Sequence, residues 1–347
     1  MNTLLSALFY FFIVVLVFGV FIFIHELGHF LTARMCKVSI KEFAIGLGPK
    51  LLSKTSAKSK IKYTLRALPI GGFVSMEGED DASDDANAFC NKKLWQRMLI
   101  ILAGPLMNLI LGFILMSILI CSQSTFLSTT VDFFGSKATS NEFLQPNDVI
   151  IAIDNTKIYT GSDLSYEIMF QGYEPISVTV ERDGEKITFE NVVFPTFEDS
   201  GALFGQRDFA LKEEAKSFST IIKHTYFRSL STIKMVYDSL GGLVSGRFGM
   251  EAVSGPVGVT EVVGEAAKNG FSSFLYIITV LTINLGVFNL IPFPALDGGR
   301  LLFLIIEAIR RKPLNKNIEG YINFVGIIIL FAFMILVTFK DIIKLFF

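Results

Sequence analysis

Four apolar stretches constrain this chain more than any other feature. Residues 4–24, 98–121, 274–291 and 322–339 approach or exceed the roughly 20 residues that carry a helix across a hydrocarbon core of about 30 Å. A backbone inside a bilayer must satisfy its own hydrogen bonds, so each stretch is expected to be helical. Composition points the same way. The chain is 51% hydrophobic and only 18% charged, where a soluble domain averages about a quarter charged. The fold class read from this is a multi-pass α-helical membrane protein with about four transmembrane helices. With 31 basic against 32 acidic residues there is no basic field to attract nucleic acid. Three cysteines, Cys36, Cys90 and Cys121, are too few and too scattered for a disulfide framework or a cysteine-rich metal site. The first stretch lacks a basic residue ahead of it and a small-residue cleavage site, so it is expected to stay attached as a span.

Orientation follows from lysine and arginine. Residues 31–66 carry nine of them, and the link between the third and fourth spans carries Arg300, Arg310, Arg311, Lys312 and Lys316. Both termini are therefore expected outside, with the first and third connections in the cytoplasm. The long connection 122–273 is then extracytoplasmic. Within it, residues 128–196 read as a small β-rich domain: alternating runs at 149–153, 177–181 and 186–189 are separated by turns at Asp154-Asn155 and Asp183-Gly184. Residues 213–240 show helical spacing and read as an amphipathic helix along the outer membrane surface. This divides the chain into 1–127, 128–196, a linker region 197–273, and 274–347. The acidic stretch 77–85 reads as a solvated cytoplasmic loop, and His224 as a solvated helix residue.

The chemistry concentrates at His25-Glu26-Leu27-Gly28-His29. On a helix, positions i and i+4 share a face, so both imidazoles can reach one metal while Glu26 points to a neighbouring sector, free to act on water. Ionisable groups near membrane depth are costly and mark function by default. A catalytic zinc usually has three protein ligands. The third is expected from Asp297, which follows the helix-breaking run Asn289 to Pro294 at the cytoplasmic end of the third span. Irregular backbone is tolerated there only where it is buried in protein or lines a wet cavity.

At this point the chain resembles the site-2 proteases, intramembrane zinc metalloproteases, and specifically their bacterial RseP-type branch. The resemblance rests on His25-Glu26-Leu-Gly-His29, Glu42-Phe-Ala-Ile-Gly46-Leu-Gly48-Pro49, and Ala67-Leu-Pro69-Ile-Gly71-Gly72-Phe73-Val74. It continues through Ala103-Gly104-Pro105-Leu-Met-Asn108, Gly255-Pro256-Val257-Gly258 and Leu296-Asp297-Gly298, in the family's order.

The resemblance implies one Zn2+ per chain on His25, His29 and Asp297, with Glu26 catalytic. It implies a cytoplasmic-side, membrane-re-entrant β-hairpin at 61–76, whose Gly71, Gly72, Phe73 and Val74 hold an extended substrate. Asn108, Asn289, Pro292 and Pro294 would line the same site. It makes residues 128–196 a PDZ-like α+β domain, with Asn147-Asp148 where such domains usually have Gly-Asp. The implied substrates are single-span membrane proteins, such as anti-sigma factors and remnant signal peptides, trimmed beforehand by another protease. The implied setting is a bacterial cytoplasmic (inner) membrane, with the lipid bilayer as the other partner. Another membrane His-Glu-x-x-His protease would need a downstream Glu as third ligand, and a non-catalytic PDZ scaffold or metal transporter would have no need of Glu26.

Overall fold

The computed structural model describes residues 2–79 and 81–346. Its helices and strands run α1 (Asn2–Met35), β1 (Ile40–Thr55), β2 (Lys62–Met76), α2 (Leu94–Ser122), β3 (Thr125–Phe134), β4 (Val149–Ile153), β5 (Thr156–Lys157) and α3 (Gly161–Gln171). They continue as β6 (Ile176–Arg182), β7 (Glu185–Val192), β8 (Thr196–Asp199), β9 (Ala202–Gly205), β10 (Phe209–Ala215), α4 (Phe218–Val244), α5 (Pro256–Lys268), α6 (Phe271–Leu290), α7 (Asp297–Arg310) and α8 (Lys316–Phe346). Among the described residues, four helices are long and apolar enough to cross a membrane: Phe9–Met35, Leu94–Ser122, Phe271–Leu290 and Lys316–Lys344. The first and fourth leave large side chains such as Phe9, Phe12, Phe324 and Phe331 exposed, as lipid-facing surfaces do.

The chain forms two compact units, residues 1–112 with 254–347, and residues 113–253. In the first, α2 crosses α1 at very close range, because a Cβ on Gly28 would lie 2.3 Å from the Ala103 carbonyl oxygen. Gly286 of α6 meets α2 at the Pro105 carbonyl, and the Gly258 N–H of α5 donates to Asp341 of α8 at 2.8 Å. Beside α1, β1 and β2 form a curled two-stranded sheet. Residues 42–45 have partners on both sides, Gly72 to Ser75 on one and Lys62 to Leu65 on the other. The chain doubles back at Gly46 (φ +85°) and Gly71 (φ +94°). A side chain at either would be strained and crowded, with a Cβ 2.5 Å from the Leu68 carbonyl oxygen and 2.7 Å from Leu47 Cγ respectively. Segment 71–76 thereby becomes an outer edge of the sheet.

The second unit is built on a six-stranded sheet in the order β10-β3-β4-β6-β7, with β5 on β4. Val131, Ile150, Ile153, Val178 and Val180 close its core against Leu164 and Ile168 of α3. The helix starts on a capping box, Thr160 and Asp163 each accepting from the other's backbone N–H. Asn147 takes φ +79°, the left-handed turn expected of it, and Arg182 clamps Asp148 next to it through two hydrogen bonds of 2.7 and 2.8 Å.

Four expectations change. The sheet does not stop at 196, since β10 pairs with β3 from Phe209↔Phe134 to Ala215↔Thr125. The helix expected from 213 begins instead at Phe218, capped by Ser217 and Thr220, because residues 209–215 are taken up as that edge strand. His224 is not solvated: it is 3% exposed, stacked on Phe126 and 3.0 Å from Glu214. Nor is the acidic stretch 77–85 wholly solvated. Glu79 is half-buried and paired with Arg300, while Asp80 lies outside the described residues.

Candidate metal centre

The site is assembled where α1, α2 and α7 meet. His25 and His29 stand one turn apart on α1, with ring centroids 4.9 Å apart. Asp297 is the first residue of α7, where the helix N-terminus favours a carboxylate. The turn that delivers it is tight. Ala295 adopts φ +74°, its N–H donates to Asn323 of α8 at 3.2 Å, and a Cβ on Gly298 would lie 2.2 Å from the Ile291 carbonyl oxygen. Two ion pairs, Arg300 with Glu79 and Arg97 with Glu307, tie α7 to its neighbours.

The donor atoms converge. His25 Nε2 is 2.9 Å and His29 Nε2 3.3 Å from Asp297 Oδ2, and the two Nε2 atoms are 3.2 Å apart. Three ligands on one face of a zinc tetrahedron, each about 2.0–2.1 Å from the ion, sit about 3.3 Å from one another. The donor set therefore fits zinc in type and spacing.

Two further observations support the fit. Asp297 Oδ2 is buried and meets no hydrogen-bond geometry. His29 Nδ1 lies 2.8 Å from the Ile100 carbonyl oxygen, which can only accept, so Nδ1 carries a proton and Nε2 is the ring nitrogen left to act as a ligand. Gly104 keeps the space beside the two histidines open, since a Cβ there would lie 2.3 Å from His29 Nε2 and 2.8 Å from His25 Nε2.

Around this centre the remaining expected residues fall differently. Glu26 faces the sheet, where a Cβ on Gly72 would lie 3.2 Å from its Cγ. Gly71, Gly72, Phe73 and Val74 form the outer edge segment; Val74 is buried, and Phe73 carries the Arg66 guanidinium 5.0 Å over its ring. Asn289 turns its amide back to the Leu285 carbonyl of its own helix, and Pro292 is exposed while Pro294 packs against Gly326. Asn108 is fully buried, with its amide 3.3 Å from His25 Nδ1. Gly104 and the Ile100 carbonyl carry no side-chain signal of their own, and spacing alone does not reveal them.

The chain thus combines helices long and apolar enough to cross a membrane with a His-His-Asp cluster that can hold a metal ion. The sequence matches Peptidase family M50 over residues 12–333, and the chain belongs to that family, the site-2 proteases, whose cofactor is zinc. A protein of Clostridium acetobutylicum with a zinc metalloprotease name is 35% identical over 95% of this chain and 96% of its own length. The zinc metalloprotease RasP of Shouchella clausii is 30% identical over 100% of both chains, and the regulator of sigma-W protease RasP of Bacillus subtilis is 28% identical over 96% of this chain and 98% of its own.

Proposed function

We propose that His25, His29 and Asp297 hold one zinc ion per chain and that the enzyme cuts peptide bonds within or near the transmembrane segments of single-span membrane proteins. The observation that carries this reading is the meeting of three donor atoms beside Gly104 in the helical unit. Zinc, when bound, supplies Lewis acidity, polarising a carbonyl and acidifying water. Glu26 takes a proton from the attacking water and delivers it to the leaving amine.

A helical substrate hides its carbonyls in its own hydrogen bonds, so it must unwind before attack. Segment Gly71–Val74 receives the unwound strand by β-augmentation, and this fits the position of Gly72 against Glu26. In this reading the β1–β2 sheet is the re-entrant element on the cytoplasmic side, and Asn289, Pro292 and Pro294 border the same groove. The sheet with α3 is a PDZ-like domain outside a bacterial cytoplasmic membrane, excluding substrates that still carry a bulky outer part. The name of the Bacillus subtilis relative supports a role in regulated proteolysis, with anti-sigma factors or remnant signal peptides, already trimmed, as substrates.

The test is a Glu26→Gln chain, purified in detergent and returned to cells. It should bind one zinc, lose peptide-bond cleavage, and accumulate single-span proteins identifiable by mass spectrometry. Retained cleavage would remove Glu26 from the chemistry, and a zinc-free wild-type chain that still cleaves would remove the metal.

A further inference from the structure

The Nδ1 atoms of both histidines are held by α2. His29 meets the Ile100 carbonyl, and His25 meets Asn108, with Gly104 midway between them. Positions 100, 104 and 108 lie at successive i, i+4 steps, so a single stripe of α2 faces the His25–His29 stripe of α1.

The two supports differ. Ile100 offers an oxygen, which fixes a proton on His29 Nδ1 and leaves Nε2 as the nitrogen that can ligate. Asn108 offers Nδ2 to His25 Nδ1 at 3.3 Å, while its own Oδ1 is buried without a partner. An N–H donated to Nδ1 selects the tautomer that carries its proton on Nε2, the atom directed at Asp297. A histidine that ligates through Nε2 needs the opposite arrangement: a proton on Nδ1 and an acceptor facing it. A half-turn of the Asn108 carboxamide exchanges its two atoms and aims the partnerless oxygen at Nδ1.

We infer that Asn108 is a positioning residue for His25, its side chain turning over so that Oδ1 accepts from Nδ1–H and Nε2 is freed to ligate. This rests on the reading of His25 as a ligand. It differs from a substrate-holding role, because Asn108 has no accessible surface through which to meet a peptide. Outer partners of ligating histidines change metal affinity by roughly 10–100-fold when removed.

The test measures zinc affinity of the full-length chain in detergent, by competition against a graded series of chelators. His25→Ala, Asn108→Leu, Asn108→Asp and Asn108→Ser are compared with wild type, with thermal unfolding followed in parallel. Asn108→Leu, which cannot accept, should weaken zinc by 10-fold or more. Asn108→Asp, which restores an acceptor, should recover it, as carboxylates do behind many zinc-bound histidines.

If His25→Ala leaves zinc affinity unchanged, the ligand reading itself fails. If His25→Ala loses zinc but Asn108→Leu binds as wild type and only KM rises, the positioning role is overturned and a substrate contact takes its place. Should Asn108→Leu fail to fold, Asn108→Asp and Asn108→Ser decide: Asp tighter than Ser supports the role, and equal affinities overturn it.

Discussion

Gly72 brings β2 so close to Glu26 that a Cβ would sit 3.2 Å from Glu26 Cγ and 3.0 Å from the Ala44 carbonyl oxygen. Alanine requires shifts of a few tenths of an ångström, whereas valine adds branches with a backbone oxygen on one side. Gly72→Val should therefore displace the carboxylate or the strand. Misplacing a reacting group by about 1 Å can cost roughly 100-fold in rate. Single-turnover cleavage should fall on that order while zinc content stays at wild type, and undiminished turnover would show that Glu26 and the strand are not coupled.

Gly104 invites a sharper experiment. Its Cβ would come within 2.3 Å of His29 Nε2, next to the Ala103 and Pro105 backbone, where the helix has little freedom to retreat. Gly104→Ala should lose most bound zinc by atomic absorption in a chain that still inserts and remains helical. Full zinc loading in that variant would mean the metal sits elsewhere.

The edge of the sheet can be examined with proline. Along a strand, successive N–H groups point to opposite sides, so Phe73→Pro and Val74→Pro remove donors from opposite edges. Only one of the two should break the ladder to β1; the other should cut proteolysis with zinc and folding preserved. If both variants cleave a full-length single-span substrate normally, segment 71–76 does not bind it.

These tests touch residues that differ in how openly the sequence declares them. His25 and His29 are legible because an i, i+4 pair is a local pattern. Asp297 needs two further inferences, a broken helix and matching depth, since it is far away in sequence. Gly104 acts through the absence of a side chain and Ile100 through its backbone, and neither leaves a compositional trace. The spans were legible from hydropathy. Helical periodicity misplaces His224, because it says which residues share a face and not what covers that face; Phe126 and Glu214 arrive from β3 and β10. The strand β10 is not legible either, because its charged residues fit a solvated helix as well as an edge strand.

The buried histidine leads to a pH prediction. Burial alone would raise the Glu214 carboxyl, but its bonds to His224 and Lys223 outweigh this and hold it below the usual glutamate range. A carboxyl depressed by folding stabilises at pH above its unfolded value, and that contribution is lost as pH falls through the folded value. Thermal unfolding of the full chain should thus show Glu214→Gln less stable than wild type at neutral pH, with the gap closing under acid. A gap that is constant with pH would assign the effect to packing.

Residues 113–253 contain none of the three donor residues. Replacing 125–253 by a flexible linker should keep zinc and cleavage of a trimmed substrate, and should newly permit cleavage of the untrimmed one. A folded, zinc-loaded deletion that no longer cuts the trimmed form would mean that the removed part delivers substrate.

The donor atoms come from the first helix and from a helix near the end of the chain, α1 and α7. During synthesis the His25–His29 pair is made early, and its carboxylate partner emerges only after two further spans have been translated. Until then the chain offers only two of the three proposed ligands. A chain that stopped before α7 would lack the third of the proposed ligands, so in this reading a complete metal site waits on the synthesis of α7.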